Sequence, residues 1–79
     1  MVAAPTSNAG QLLREWRKRR KLSQFDLALR SAVSGRHLSF IESGRTQPSR
    51  ATILRLAEVL DVPLRDRNAM LLAAGLAPG

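Results

Sequence analysis

The side chains that do chemistry are few and unevenly chosen. There is no cysteine and a single histidine, His37, against 13 Lys and Arg and six Asp and Glu. A thiolate site and a histidine-rich metal site are thereby excluded. The carboxylates Glu15, Asp26, Glu42, Glu58, Asp61 and Asp66 are scattered without a paired constellation. The reading is therefore no enzyme, no cofactor and no metal. What remains are cations and amides. Arg17-Lys18-Arg19-Arg20-Lys21 is an unbroken basic run, and Gln24, Arg36, His37, Arg45 and Arg50 follow it. A guanidinium offers a planar fork of donors, which fits two phosphate oxygens or the O6 and N7 of guanine. A net charge of +7 on 79 residues points to a polyanionic partner.

Something must hold those cations in place. A chain of 79 residues makes one small domain and needs regular helix packing to be stable. Residues 1–8 carry Pro5, Thr6, Ser7 and Asn8 and read as a flexible arm ending in a helix cap. They lack the basic and apolar regions of a signal peptide. No apolar run reaches the roughly 18 residues of a membrane span. The expected location is cytoplasmic.

Five helices are predicted and no strand, because nothing alternates with period two. The first runs from Ala9 to Lys21. The second, capped by Ser23 with Asp26 as a weak capping box, ends near Ser31. After Ala32-Val33-Ser34 the third runs from Gly35 to about Ser43, with Ser34 as cap and Gly44 as terminator. Ser49 caps the fourth, Arg50 to Leu60, and Asp61-Val62-Pro63 breaks it. The fifth spans Leu64 to Ala74, with Leu64, Leu71 and Leu72 inward, and Gly75 stops it. The fold class is all-α, a compact five-helix bundle. Its candidate core is Leu13, Trp16, Leu22, Leu27, Ala28, Val33, Leu38, Ile41, Ile53, Leu56, Ala57, Leu60 and Val62.

The informative stretch is residues 24–43, QFDLALRSAVSGRHLSFIES. It reads as a short helix, a tight turn and a second capped helix, with Leu27, Ala28, Val33, Leu38 and Ile41 placed for a steep crossing. This is the helix-turn-helix pattern, in which the second helix presents its N-terminal residues to the major groove. The longer run LSQFDLALRSAVSGRHLSFIESGRTQPSRATILRLAEVLDVP resembles the phage-repressor (Cro/Xre-type) helix-turn-helix domain. Its markers are LSQ, IESG followed by a basic residue, P-S before the fourth helix, and L-A-x-x-L-x-V. RHLSFIESGR together with PLRDRNAMLLAAGLAP is similar to the MmyB-like subgroup of bacterial regulators. The resemblance covers about residues 11–79 and implies a lambda-repressor-like DNA-binding domain over 9–79. That subgroup usually carries a C-terminal regulatory domain, and this chain stops where it would begin. The family usually has Gly in the turn, where this chain has Ala32. A left-handed Ala32 would cost about 1 kcal/mol.

The resemblance also implies roles. Gln24 matches a position at the start of the second helix that bonds a phosphate or a base at the site's edge. Gly35, Arg36, Ser39 and Phe40 match recognition-helix positions that face the groove. Arg36 is the candidate reader of guanine. Phe40 is a candidate for a thymine methyl, with core filler as its rival. Arg45 and Arg50 match positions that clamp the DNA backbone, and Ser34 and His37 are further phosphate candidates. For His37 an exposed, idle imidazole is the rival. Arg17 matches a position that pairs with that of Glu42 in a partly buried ion pair. The rest of the basic run is either a DNA contact or a solvated face. Phe25 either covers the first helix or marks a partner surface. The expected function is sequence-specific binding of double-stranded DNA by a transcription regulator. The alternative is an antitoxin that binds DNA and a toxin. RNA binding wants exposed aromatics for stacking, and the aromatics are only Trp16, Phe25 and Phe40. A homodimer through the fifth helix and the tail Leu71 to Leu76 is expected, on the premise that Met70 and Leu76 are exposed.

Overall fold

A computed structural model describes residues 8–78. The proposed flexible arm, residues 1–8, lies outside the described residues except for Asn8, which caps α1. Five helices follow in order: α1 Ala9–Arg19, α2 Gln24–Ser31, α3 Gly35–Glu42, α4 Arg50–Val59 and α5 Leu64–Ala73. No strand occurs among the described residues. Each expected helix after α2 is one residue shorter, and α1 two, because the final residues serve as caps rather than helix.

Side chains set the helix starts. Asn8 Oδ1 accepts the Gln11 N–H at 2.8 Å, and Gln11 Oε1 accepts the Asn8 N–H at 3.2 Å, a full capping box. Ser23 and Asp26 repeat it on α2. Ser34 caps α3 through the His37 N–H at 3.0 Å, and Ser49 caps α4 through the Thr52 N–H at 3.2 Å. The stops share one geometry. After α1, α3, α4 and α5 a left-handed residue closes paired backbone bonds to the last turn: Lys21 (φ 60°), Gly44 (83°), Asp61 (53°) and Gly75 (78°). Ala32 after α2 is left-handed as well, at φ 59°. Only two of the five stops use glycine.

α1 packs on α3, α4 and α5; α2 packs on α3 and α4; α4 packs on α5. Leu13, Leu27, Leu38, Ile41, Ile53, Leu56, Leu60 and Val62 are buried at the centre, with Trp16, Val33 and Ala57 beside them. Leu22 and Ala28 are half-buried against this cluster rather than within it. The larger correction concerns α5. Met70 is fully buried and Leu76 half-buried against the core, where the sequence predicts both exposed. Leu64 and Leu72, predicted inward, are 66% and 60% exposed. The buried set Met70, Leu71 and Ala74 sits at one helical face with the half-buried Arg67. Leu72 falls on the opposite side. Leu64 is the first helical residue.

Gly10 is required by packing. A Cβ there would collide with the carbonyl oxygen of Ile41, so α1 reaches α3 only because position 10 has no side chain. That close approach fixes the tilt of α3 against the body.

Candidate nucleic-acid interface

α3 is held at one end and bare at the other. Leu38, Ile41 and Glu42 are buried, whereas Gly35 and Arg36 are exposed and His37, Ser39 and Phe40 are half-buried. The anchor is polar. Arg17 Nε donates to Glu42 Oε2 at 2.7 Å and Arg17 Nη2 to Glu42 Oε1 at 2.9 Å. Arg17 Nη1 also donates to the Leu22 carbonyl at 2.8 Å. The bidentate pair is almost wholly withdrawn from water, with side chains 11% and 3% exposed. Burying two charges is favourable only when their remaining hydrogen-bonding capacity is filled, and a third donor completes it. Gln24 Nε2 donates to Glu42 Oε1 at 3.0 Å. One carboxylate therefore ties α1, the start of α2 and the end of α3 together.

This bond fixes which way the Gln24 amide points. Its NH2 must face the carboxylate, which leaves the carbonyl oxygen and the second amide hydrogen for a ligand. Gln24 and Ser39 line one polar hollow together with Arg14, Ser43 and the Arg17–Glu42 pair. Sequence reasoning missed Arg14 and Ser43. The signal for Arg14 was present, since it lies three residues before Arg17 on the same helix face.

A second grouping, centred on Phe40, lies next to Ser39 on the same face of α3. The guanidinium carbons of Arg36 and Arg45 each lie 5.4 Å from the centre of the Phe40 ring. Phe40 is half-buried and is not core filler. Arg36 and Arg45 are exposed, and the ion pairs found among the described residues, Arg17–Glu42 and Arg67–Glu58, involve neither. Arg50, also outside those pairs, is the first residue of α4, half-buried beside the Ser49 cap. Ser34 spends its oxygen on the His37 N–H, which leaves its hydroxyl hydrogen to donate.

The basic run has mainly structural duties. Arg17 is in the buried pair. Arg19 lies over Trp16 at 4.3 Å from the ring centre, with Arg20 over the same ring at 5.0 Å. Arg20 also donates to the Leu60 and Asp61 carbonyls at 2.8 and 2.9 Å, so it caps the C-terminus of α4. Lys18 and Lys21 stay exposed. Phe25 does not cover α1: it is 70% exposed and, with Leu29 at 68%, borders an apolar groove floored by Ala28, Ala32 and Val33.

A sequence profile described as helix-turn-helix (HTH_3) matches residues 13–66, well over half of the chain. The chain belongs to the helix-turn-helix family. Among relatives in that family, it is 48% identical over 61 residues to RghRB of Bacillus subtilis, an uncharacterised HTH-type transcriptional regulator. It is 47% identical over 55 residues to RghR of the same organism, an HTH-type transcriptional repressor. These matches cover 76% and 68% of this chain but only 44% and 41% of the relatives, so the chain spans less than half of their length. In three dimensions it is similar to the crystal structure of the restriction-modification controller protein C.AhdI of Aeromonas hydrophila. The TM-score is 0.69 at 37% identity, over 75% of this chain and 89% of that one. The matched span runs from within α1 to the start of α5 and so contains α2, the left-handed Ala32 turn and α3.

Proposed function

We propose that the chain binds double-stranded DNA sequence-specifically as part of a transcription regulator, with the first turns of α3 in the major groove. The observation that carries this reading is the division of α3: its end is locked by Glu42 while Gly35 and Arg36 stand bare at its start. A groove-reading helix needs a rigid base and a free N-terminal face. The regulator relatives favour this reading over the antitoxin.

Roles follow from position. Arg36 reads a base, with Gln24, Gly35, Ser39 and Phe40 along the same face. Arg45, Arg50, Ser34 and His37 grip the backbone, and such contacts position the domain without reading sequence. The domain acts in the cytoplasm, at the nucleoid; no helix among the described residues is long and apolar enough to cross a membrane. Two-fold operators are read by dimers with recognition helices about 34 Å apart. We place the dimer contact on α5, now through its exposed Leu64 and Leu72. Sedimentation on a two-half-site duplex showing one chain per duplex would reject that contact.

The deciding experiment compares Arg36→Ala and Arg45→Ala on selected and scrambled duplexes across a salt series. Arg36→Ala should cost about 1–3 kcal/mol on the selected site and little on scrambled DNA. Arg45→Ala should weaken both similarly and lower the salt slope by about one. Equal losses for Arg36→Ala on both duplexes would show that it holds phosphate.

A further inference from the structure

The Phe40 ring holds two free guanidiniums, and its backbone holds the loop that carries one of them. The Phe40 carbonyl accepts the Arg45 N–H at 2.9 Å and the Thr46 N–H at 3.3 Å, and the Ser43 hydroxyl at 3.2 Å. Arg45 is thereby fixed at both ends, main chain to the Phe40 carbonyl and guanidinium to the Phe40 ring. Arg36, one helical turn before Phe40, reaches the same ring. Neither arginine belongs to the ion pairs of the described residues. Long arginine side chains normally lose rotamer freedom when they bind. An aromatic face attracts a cation and restricts it without consuming its donors.

We propose that Phe40 is a positioning residue that pre-orients Arg36 and Arg45 for DNA, and that it does not itself read a thymine methyl. The proposal rests on the DNA-binding reading above. Its physical content is that two like charges are held on one ring in the free domain, an arrangement that a polyanion relieves. Arg36 then meets a base edge and Arg45 a phosphate at low ordering cost, so one side chain sets both reading and holding.

The test has an arm without DNA. The Nε–Hε resonances of Arg36 and Arg45, assigned with Arg36→Lys and Arg45→Lys, should be displaced upfield by the ring current in the wild type and in Phe40→Tyr. In Phe40→Leu, which keeps apolar bulk, they should return to ordinary positions while the helical spectrum is kept. On a duplex selected by the wild type, Phe40→Leu should lose about 3- to 10-fold in affinity, with Phe40→Tyr restoring it. Replacing each thymine of that duplex by uracil should leave wild-type affinity unchanged. Missing displacements overturn the proposal alone, as does Phe40→Leu binding at wild-type strength. A loss on uracil substitution that Phe40→Leu does not share assigns Phe40 to the methyl and overturns it too. A wild type that shows the displacements and binds no duplex overturns the DNA-binding reading, and this proposal with it.

Discussion

Glu42 accepts from Arg17 and Gln24 in a site nearly closed to water. Glu42→Ala strands a buried guanidinium and frees the Gln24 amide, at a cost of about 3–5 kcal/mol. In a domain of this size each kcal/mol lowers Tm by about 4–8 °C, so thermal denaturation should show a fall of tens of degrees or no folded state. An unchanged Tm would mean that the pair is solvated. Ala32 behaves in the opposite sense. Its φ of 59° is strained for a residue with a Cβ, and its side chain is exposed. Ala32→Gly should therefore raise stability by up to about 0.6 kcal/mol, the relieved strain less the added freedom of the unfolded chain. Denaturant midpoints measure it, and a lower midpoint would refute the strain. Legibility at this scale was uneven. The Arg17–Glu42 contact came with the family resemblance. The bond from Gln24 to that same carboxylate did not, because it depends on where α2 and α3 cross and not on any spacing along the chain.

At the scale of elements, α1 to α4 could be read from their ends. Asn8, Ser23, Ser34 and Ser49 are local capping signals that act within three residues. The left-handed stops at Lys21 and Asp61 left no glycine to mark them. α5 misled because it has no side-chain cap at Pro63 and its apolar residues surround it. Leu64, Met70, Leu71 and Leu72 fit more than one face, and only the body beneath selects Met70, Leu71 and Ala74. Gly10 provides the sharpest test of an element pair. Helix propensity alone makes Gly10→Ala stabilising by about 1 kcal/mol. The contact of α1 with the Ile41 carbonyl reverses the sign, since the methyl must push the helices apart at a cost of about 1–3 kcal/mol. Equilibrium unfolding in urea decides between the two, and a gain in stability would disprove the close approach.

Across the whole molecule the charge is unbalanced: +7, with ion pairs between Arg17 and Glu42 and between Arg67 and Glu58. Exposed like charges repel and are screened by salt, whereas a buried pair is screened much less. Moderate sodium chloride should therefore raise the Tm of the free domain while weakening its hold on DNA. A Tm that falls with salt would place more of the stability in surface attraction than the pairing supports. The composition also gives the chain a built-in optical reporter. Trp16 is the single tryptophan, there is no tyrosine, and the residue is 9% exposed, with Arg19 and Arg20 over its ring. Excitation at the red edge of protein absorption reaches that ring alone, so its emission should be blue in the native state and move to longer wavelength when α1 leaves the body. Arg20 ties the same region to the end of α4. One unlabelled fluorophore thus follows the closing of the first helix onto the fourth, and a stopped-flow trace of it reports when the two halves of the chain meet.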